Sequence, residues 1–151
     1  LTLGQGTLLE PGCWITLAPD ATIAVGDGCF LNRGVMLAAH DRIEIGDHVM
    51  FANNCFVGDA SHRFDDPDVP ITWQGFESKG PVSIGSNCWF GVNCVVTSGV
   101  TIGDRCVIGA NSVVTSDLPD GVIAAGSPAK VIREIEFRGA EGQGSGSQSQ
   151  E

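Results

Sequence analysis

The stretch NCWFGVNCVVTSGVTIGDRCVIGANS, residues 87–112, carries apolar residues in a strict rhythm of six. Its markers are Phe90, Val96, Ile102 and Ile108, and a small or apolar residue stands two positions before each of them. Residues two apart on an extended strand face the same side. The stretch therefore predicts a series of short strands whose markers point inward together with the residue two positions earlier.

The rhythm extends through most of the chain, in about fifteen copies. A hexapeptide repeat of this length predicts a parallel β-helix, in which three repeats form a triangular coil and coils stack about 4.8 Å apart. We expect an all-β fold of about five coils, from Leu3 to about Leu118, followed by a short C-terminal cap. The further markers are Leu3, Leu9, Ile15, Val25, Leu31, Leu37, Ile45, Phe51, Val57, Ile84 and Val114.

All six cysteines occupy the inward position two before a marker: Cys13, Cys29, Cys55, Cys88, Cys94 and Cys106. This is a packing position for a small apolar side chain. Neither a metal site nor a set of disulfides would require every cysteine to stand two positions before a marker. We expect reduced thiols, as in a cytosolic protein, although Cys88 and Cys106 would be coil neighbours and a bridge between them is sterically open.

The composition limits the class of partner. The chain has 151 residues, 42% of them hydrophobic, and a formal net charge of −10, which argues against nucleic acid or an anionic membrane as partner. No apolar run approaches the ~20 residues of a membrane span, and no secretory leader is present, so we expect a cytoplasmic protein. The chain starts at Leu1 rather than Met, and whether its natural start has been lost stays open.

The domain is expected to span residues 1–138, with an inserted loop at 61–81. Residues 139–151, GAEGQGSGSQSQE, have the composition of a flexible tail.

Two of the three predicted faces carry outward apolar residues. A single chain rarely leaves two such stripes exposed. A three-fold assembly would bury these two faces and leave the third exposed to solvent. We therefore predict a homotrimer. The second face presents Leu8, Phe30, Met50, Trp89 and Val107, and the third presents Trp14, Met36, Phe56, Val95 and Val113.

The rhythm breaks only where the third face leads to the first. Ile15 to Val25 takes ten residues, Leu37 to Ile45 eight, and Val57 to Ile84 twenty-seven. Loops as long as the last of these are usually functional or disordered. This loop carries a histidine, an arginine, three aspartates and a tryptophan, and we expect it to be functional.

His62 is the main candidate for chemistry, because it stands where the coil gives way to the loop and imidazole suits general-base work. Asp59, three residues earlier, is expected to orient the imidazole as a carboxylate does in a triad. His48 falls at a turn position that holds asparagine in other coils, and we interpret it as structural. The histidine spacing lacks the short pair that a zinc site between coils needs, so no metal is predicted.

A phosphate-bearing partner would meet scattered cations, because no glycine-rich phosphate loop is present. Lys130 and Arg133, in GSPAKVIREIE, are the best of them in an otherwise acidic chain. That stretch is also expected to form a helix-like cap.

The segment from Ile84 to Ile135 closely resembles the C-terminal half of hexapeptide-repeat acetyltransferases, and the likeness extends back to about Asn32. The specific features are GSPAKVIR, residues 126–133, and the loop pattern of Ser61-His62, Pro70-Ile71 and Gln74-Gly75. The most similar branch is that of the galactoside, maltose and polysaccharide sugar O-acetyltransferases. The resemblance implies a left-handed β-helix, usually trimeric, with its active site between subunits.

The resemblance also implies roles for residues. His62 matches the catalytic histidine, which takes the proton of an acceptor hydroxyl as it attacks acetyl-CoA. Acceptor contacts are implied for Asn32, His40 and Asp41, with His40 standing where the family has an aspartate. Coenzyme contacts are implied for Val92, Ala110, Thr115, Ser116, Lys130 and Arg133; Ser116 replaces a usual lysine, and Val92 a small polar residue.

Trp73 has two readings: its ring stacks on a sugar, or it packs the loop onto the coil. The resemblance predicts acetyl transfer from acetyl-CoA to a hydroxyl of a sugar or polysaccharide precursor. Two alternatives stay open. The first is N-acetylation of an amino sugar, or O-acetylation of serine or an antibiotic, and the second is a non-catalytic β-helix that serves as an assembly module.

Overall fold

A computed structural model describes residues 1–139, and almost all of its regular structure is β-strand. Three sheets of parallel strands form the three faces of a solenoid, and each strand pairs with the strand of the same face in the next coil. The predicted all-β fold of stacked parallel coils is confirmed. Five coils are complete, and Leu118, in an isolated parallel bridge with Ile102, and β18 (Val122–Gly126) add part of a sixth. The predicted flexible tail lies outside the described residues, apart from Gly139.

The strands of the first face, in stacking order, are β1 (Thr2–Leu3), β4 (Thr22–Val25), β7 (Arg42–Ile45), β12 (Val82–Ile84) and β15 (Thr101–Ile102). Those of the second face are β2 (Leu8–Leu9), β5 (Phe30–Leu31), β8 (Met50–Phe51), β13 (Trp89–Phe90), β16 (Val107–Ile108) and β18. Those of the third face are β3 (Trp14–Leu17), β6 (Met36–Ala39), β9 (Phe56–Gly58), β14 (Val95–Val96) and β17 (Val113–Val114). The loop adds β10 (Ser61–His62), a 3-10 turn (Ile71–Trp73) and β11 (Phe76–Glu77), and the chain continues to β19 (Ala129–Glu134).

The core is the column of inward residues that the six-residue rhythm predicts. Cys88 and Phe90 are buried while Trp89 between them is 52% exposed. Markers stack directly on one another along the axis; the rings of Phe51 and Phe90, for example, lie 4.6 Å apart between centroids and nearly parallel. Such stacking removes apolar side chains from water and provides most of the stability of the fold.

Glycines after the first-face markers are explained by what lies in the next coil. The Asp104 Oδ1 atom accepts a hydrogen bond from the Ser86 N–H at 2.7 Å, which places the carboxylate against Gly85. A Cβ atom at Gly85 would overlap this carboxylate and the backbone of Gly103. The same arrangement recurs up the column at Asp27, Asp47, Ser86 and Asp120, so each glycine makes room for the hydrogen bond that ties its coil to the next.

The structural interpretation of His48 agrees with its backbone. Its φ is +56°, in the left-handed region, and Asn54, Asn87 and Asn93 have φ of 58° to 60° at the equivalent turns. Asparagine tolerates this conformation better than most residues, which accounts for its frequency at these turns.

All six cysteines are free thiols, and five of them are buried. Each Sγ–H donates to a backbone carbonyl of the adjacent coil, at distances of 3.1 to 3.2 Å. Burial raises the pKa of the Cys88 thiol to about 12. Sulfur at this position therefore fills the core and satisfies one carbonyl of the neighbouring turn. The acceptors are the carbonyls of Asn32, Gly46, Gly91, Gly103, Gly109 and Pro119.

The helix-like cap predicted for residues 126–136 is wrong. Strands β18 and β19 form an antiparallel hairpin, with Lys130 paired to Ala125 and a register shift near Ile123. Strand β18 already extends the second face, so the segment that follows gains backbone hydrogen bonds by pairing with its edge. Within residues 1–139, no helix has the length and apolar character to cross a lipid bilayer.

Candidate functional site

His62 lies at the base of a hairpin that the inserted loop forms. Strands β10 and β11 pair antiparallel, with His62 opposite Phe76. The two rings are tilted at 33°, with their centroids 4.4 Å apart. The imidazole is exposed to solvent, so it is available to a ligand while Phe76 supports one side of it.

His40 contacts Phe76 as well. Its ring centroid is 4.3 Å from that of Phe76, at an interplanar angle of 45°. Phe76 therefore joins two imidazoles that are 22 positions apart in the sequence. Sequence reasoning missed Phe76, because nothing in the loop pattern indicates which of its residues pairs with His62.

Asp59 has other partners than the one predicted. Its carboxylate is fully buried and accepts hydrogen bonds from the backbone N–H groups of His40 at 2.6 Å, Asp41 at 2.8 Å and Arg42 at 2.6 Å. Among residues 1–139 no hydrogen bond joins Asp59 to His62. The carboxylate of Asp59 therefore fixes the corner that carries His40. These contacts do not support the predicted role, in which Asp59 orients His62.

Hydrogen bonds of the Gln74 side chain stabilise the loop beyond His62. The Gln74 side chain donates to the carbonyls of Val69 at 2.6 Å and Asp66 at 2.9 Å, and accepts from the N–H of Asp66 at 3.0 Å. Trp73, next to it, is 78% exposed. Within one chain Trp73 therefore does not pack the loop onto the coil, which leaves its indole face open to a ligand or to another subunit.

A pocket of about 460 Å³ opens beside His40. Its walls come from residues 16–19, residues 38–40, Ala60 and Phe76, and most of them are apolar. Strands β3 and β6 run two residues past their markers at this corner, with Thr16 paired to Ala38 and Leu17 to Ala39. The long spacings at this corner were the available sequence signal, but they do not reveal a cavity.

The residues predicted to bind acetyl-CoA and the acceptor fall into separate groups on one chain. Asn32, Val92 and Ala110 lie at the corner between the second and third faces, where the Asn111 N–H donates to the Val92 carbonyl at 2.8 Å. The other group lies at the corner between the third and first faces: His40, Asp41, Asp59, His62, Thr115 and Ser116. The third face separates the two groups, so one chain alone does not bring them together.

The individual environments fit ligand contact to different degrees. Val92, Ala110, Thr115 and Ser116 are all exposed, and so are His40 and Asp41. Asn32 is half-buried, and its Nδ2 donates to the Phe51 carbonyl at 3.0 Å, which leaves its side-chain oxygen as an acceptor.

Lys130 and Arg133 lie on β19 of the cap and are both exposed. Arg133 donates to the Glu134 carbonyl at 3.1 Å. Both cations thus stand near the C-terminal end of the solenoid. Within the described part of the chain, no cluster of three or more His, Cys, Asp or Glu side chains is arranged to hold a metal ion.

Comparison with known proteins identifies the family. A family model described as the hexapeptide repeat of succinyl-transferase matches residues 81–116. The galactoside O-acetyltransferase of Escherichia coli (strain K12) is 35% identical over 137 residues, which cover 91% of this chain and 65% of that protein. The chain spans 44% to 65% of the length of three curated relatives, from Mycobacterium tuberculosis, Saccharomyces cerevisiae and E. coli.

Two solved structures cover the fold more completely. A galactoside acetyltransferase in complex with coenzyme A gives a TM-score of 0.80 at 32% identity, over 99% of this chain and 72% of that chain. A hexapeptide-repeat-containing acetyltransferase from Vibrio cholerae O1 biovar eltor, complexed with acetyl coenzyme A, gives 0.77 at 33% identity, over 90% and 72%. With the repeat, the loop and the cap as described, these matches establish that the chain belongs to the hexapeptide-repeat acetyltransferases, in the branch of the galactoside O-acetyltransferases.

Proposed function

We propose that the protein transfers the acetyl group of acetyl-CoA to a hydroxyl of a sugar or polysaccharide precursor, with His62 as the general base. The observation that carries this proposal is the placement of His62: an exposed imidazole, supported by Phe76, one ring away from a pocket. Relatives named galactoside O-acetyltransferases support the class of acceptor.

The reaction needs one proton acceptor and no covalent enzyme intermediate. The imidazole of His62 takes the proton of the acceptor hydroxyl while that oxygen attacks the thioester carbonyl carbon. The new C–O bond replaces the C–S bond, and the CoA sulfur leaves and takes up a proton, which His62 returns. The products are the acetylated acceptor and free CoA thiol, so atoms and charge balance.

Acetyl-CoA is proposed to bind along the solenoid near its C-terminal end. Val92 and Ala110 stand on adjacent coils, about 4.8 Å apart along the axis, and are exposed at one corner. Thr115 and Ser116 follow at the next corner, and Lys130 and Arg133 supply positive charge for the phosphates. Two similar solved structures are complexes with coenzyme A and acetyl coenzyme A, which supports this donor.

The acceptor is proposed to bind near the other end of this path. Asn32 offers a carbonyl oxygen, and His40 and Asp41 present exposed polar side chains. The indole of Trp73 is free to stack on a sugar ring. Asp59 acts as a positioning residue, because it fixes the backbone of residues 40–42.

A homotrimer is proposed because it would cover exposed apolar side chains and would bring the separated site residues together. The outward residues Leu8, Trp14 and Trp89 are more than half exposed in the single chain, and assembly would cover them. Assembly would also bring the corner with Asn32 on one chain toward the corner with His62 on its neighbour. The complete site would then lie between subunits.

The test of the function is turnover by a histidine variant with a matched control. Thiol release from acetyl-CoA is measured with a panel of galactosides, other sugars, nucleotide sugars, amino sugars and amino acids. His62→Ala is expected to lower the rate about 10²–10⁴-fold, the usual contribution of a general base. His48→Asn, at a turn where other coils hold asparagine, is expected to keep the full rate. Unchanged turnover in the His62 variant refutes the mechanism, and turnover of amines alone replaces O-acetylation by N-acetylation.

A further inference from the structure

Four of the six cysteines form two pairs across adjacent coils. Cys55 and Cys94 are neighbours on the third face, since the residues that follow them pair in register. Cys88 and Cys106 are neighbours on the second face in the same way. Paired strands lie about 4.8 Å apart, which is within the roughly 4.4–6.8 Å between Cα atoms that a disulfide spans. The spacing therefore permits a bridge in both pairs.

The two pairs differ in the ionisation of their thiols. A hydrogen bond from the Cys55 thiol stabilises the Cys94 thiolate and lowers the pKa of Cys94 to about 7. Burial instead raises the pKa of Cys88 to about 12. The thiolate is the form of cysteine that reacts with oxidants. The third-face pair therefore offers a nucleophile near neutral pH, and the second-face pair is a control within the same molecule.

The thiols of the third-face pair are the hydrogen-bond donors of two backbone carbonyls. The Cys55 Sγ–H donates to the Gly91 carbonyl, and the Cys94 Sγ–H donates to the Gly109 carbonyl, each at 3.1 Å. Within residues 1–139 no backbone N–H donates to either carbonyl. A disulfide has no S–H group, so its formation would leave both carbonyls without these donors.

The two carbonyls belong to the corner where acetyl-CoA is proposed to bind. Gly91 directly precedes Val92, and Gly109 directly precedes Ala110. A carbonyl that loses its donor away from water is costly unless its peptide group turns toward solvent. Such a turn moves the residue that follows it. Oxidation of the third-face pair would therefore displace two proposed coenzyme contacts at once.

We propose that hydrogen peroxide oxidises Cys55 and Cys94 to a disulfide, and that this bond weakens the binding of acetyl-CoA at the neighbouring corner. The Cys94 thiolate attacks one peroxide oxygen, the O–O bond breaks, and a sulfenic acid and water form after protonation. The Cys55 sulfur then attacks the sulfenic sulfur, the S–O bond breaks, and a second water leaves with the thiol proton. Two thiols and one peroxide thus give one disulfide and two waters. The effect on binding rests on the proposed function, because it concerns the same coenzyme site.

Peptide mapping tests the chemistry. Both thiols are only 1% exposed, so peroxide must reach them by local opening of the corner. The full chain is treated with hydrogen peroxide at neutral pH, its free thiols are blocked, and its disulfides are located by mass spectrometry. We expect a link between Cys55 and Cys94 that dithiothreitol reverses, while Cys88 and Cys106 stay reduced. A third-face pair that stays reduced, or a link formed by the second-face pair instead, overturns the inference.

Calorimetry tests the consequence for binding. Acetyl-CoA is titrated into the reduced chain, the oxidised chain and the oxidised chain after dithiothreitol. We expect about tenfold weaker binding on oxidation, within the range for a buried acceptor left without a donor, and full recovery on reduction. Equal affinities of the reduced and oxidised chains refute the effect on binding.

Variants assign the effect to this pair. Cys55→Ser keeps a donor for the Gly91 carbonyl but forms no bridge, and the buried Ser112 in the same column shows that a hydroxyl fits there. This variant is expected to bind acetyl-CoA normally and to lose the response to peroxide. Cys94→Ala serves the same purpose should the serine variant fold poorly, and Cys106→Ser is the matched control that keeps the response. A response that persists without either thiol of the third-face pair refutes the inference.

This inference and the proposed function fail in different ways. An unresponsive thiol pair, with normal acetyl-CoA binding and the His62→Ala effect on turnover intact, refutes the inference alone. A reduced chain that does not bind acetyl-CoA refutes the proposed donor and, with it, the effect on binding. The disulfide itself is decided by the peptide map in either case.

Discussion

Asp59→Asn is the substitution that most directly tests how the structure builds its site. The carboxylate accepts three backbone N–H groups, one at Oδ1 from His40 and two at Oδ2 from Asp41 and Arg42. An asparagine has one carbonyl oxygen, so at least one of the three N–H groups must face the side-chain NH₂ group. The fully buried site offers no water to replace the lost acceptor.

The magnitude follows from these contacts. A hydrogen bond to a charged group contributes about 1.5–3 kcal/mol, and a buried donor left without a partner costs about 1–3 kcal/mol. Allowing for partial relaxation of the corner, we expect Asp59→Asn to lower the free energy of unfolding by about 2–4 kcal/mol. That is a large part of the ~5–15 kcal/mol available to a typical domain.

The assay is urea unfolding followed by tryptophan fluorescence, at one fixed protein concentration because assembly would couple to stability. Asp20→Asn is the matched control: it removes the same charge from an exposed left-handed turn, with φ of +66°, that asparagine tolerates. If the two variants unfold at the same urea concentration, the three hydrogen bonds do not hold the corner and the role given to Asp59 is wrong.

Three other outcomes are expected. Phe76→Ala removes the ring contact of His62, worth about 0.5–1.5 kcal/mol, and is expected to lower kcat about two- to tenfold; Phe76→Tyr should restore it, and an unchanged kcat in the alanine variant would contradict the positioning role. Because burial raises the pKa of Cys88 from its ordinary 9.0 to about 12, the neutral thiol stabilises the fold fully below pH 9, and this contribution is lost as the pH rises toward 12. Unfolding free energies should therefore fall by up to about 1.4 kcal/mol per pH unit in that window, less steeply in Cys88→Ala; equal slopes would contradict this reasoning. Light scattering should give three times the chain mass of 15.7 kDa, and a mass of one chain in dilute solution would refute the trimer.

The periodic part of the fold was predictable because one rule governs it. A residue two positions from a marker has the same orientation as the marker, so Cys88, Phe90 and the exposed Trp89 could all be assigned from spacing alone. The turn role of His48 followed from the same register, and its positive φ agrees.

The site was less predictable because its contacts are not periodic. Asp59 lies three residues before His62 in the sequence, yet its carboxylate accepts hydrogen bonds from the backbone of the preceding coil, 17 to 19 positions away. Phe76 reaches His62 only because the loop folds back as a hairpin, which depends on contacts within the loop such as those of Gln74. The prediction of a helix-like cap was wrong for a similar reason. The open edge of β18 determined the conformation of the segment that follows it, and local composition did not indicate that edge.

Within residues 1–139, the corner between the third and first faces is the one place where the solenoid accommodates extra residues, and this has a consequence for how such enzymes diversify. Elsewhere, a one-residue insertion would shift every later inward side chain outward and break the contacts between glycine and carboxylate on neighbouring coils. At this corner the number of residues between the two faces can vary, and the pocket and His62 both lie there. Exchanging the loop at this corner can therefore change the preferred acceptor while the stacked coils stay unchanged. This corner is the natural target for redesigning specificity.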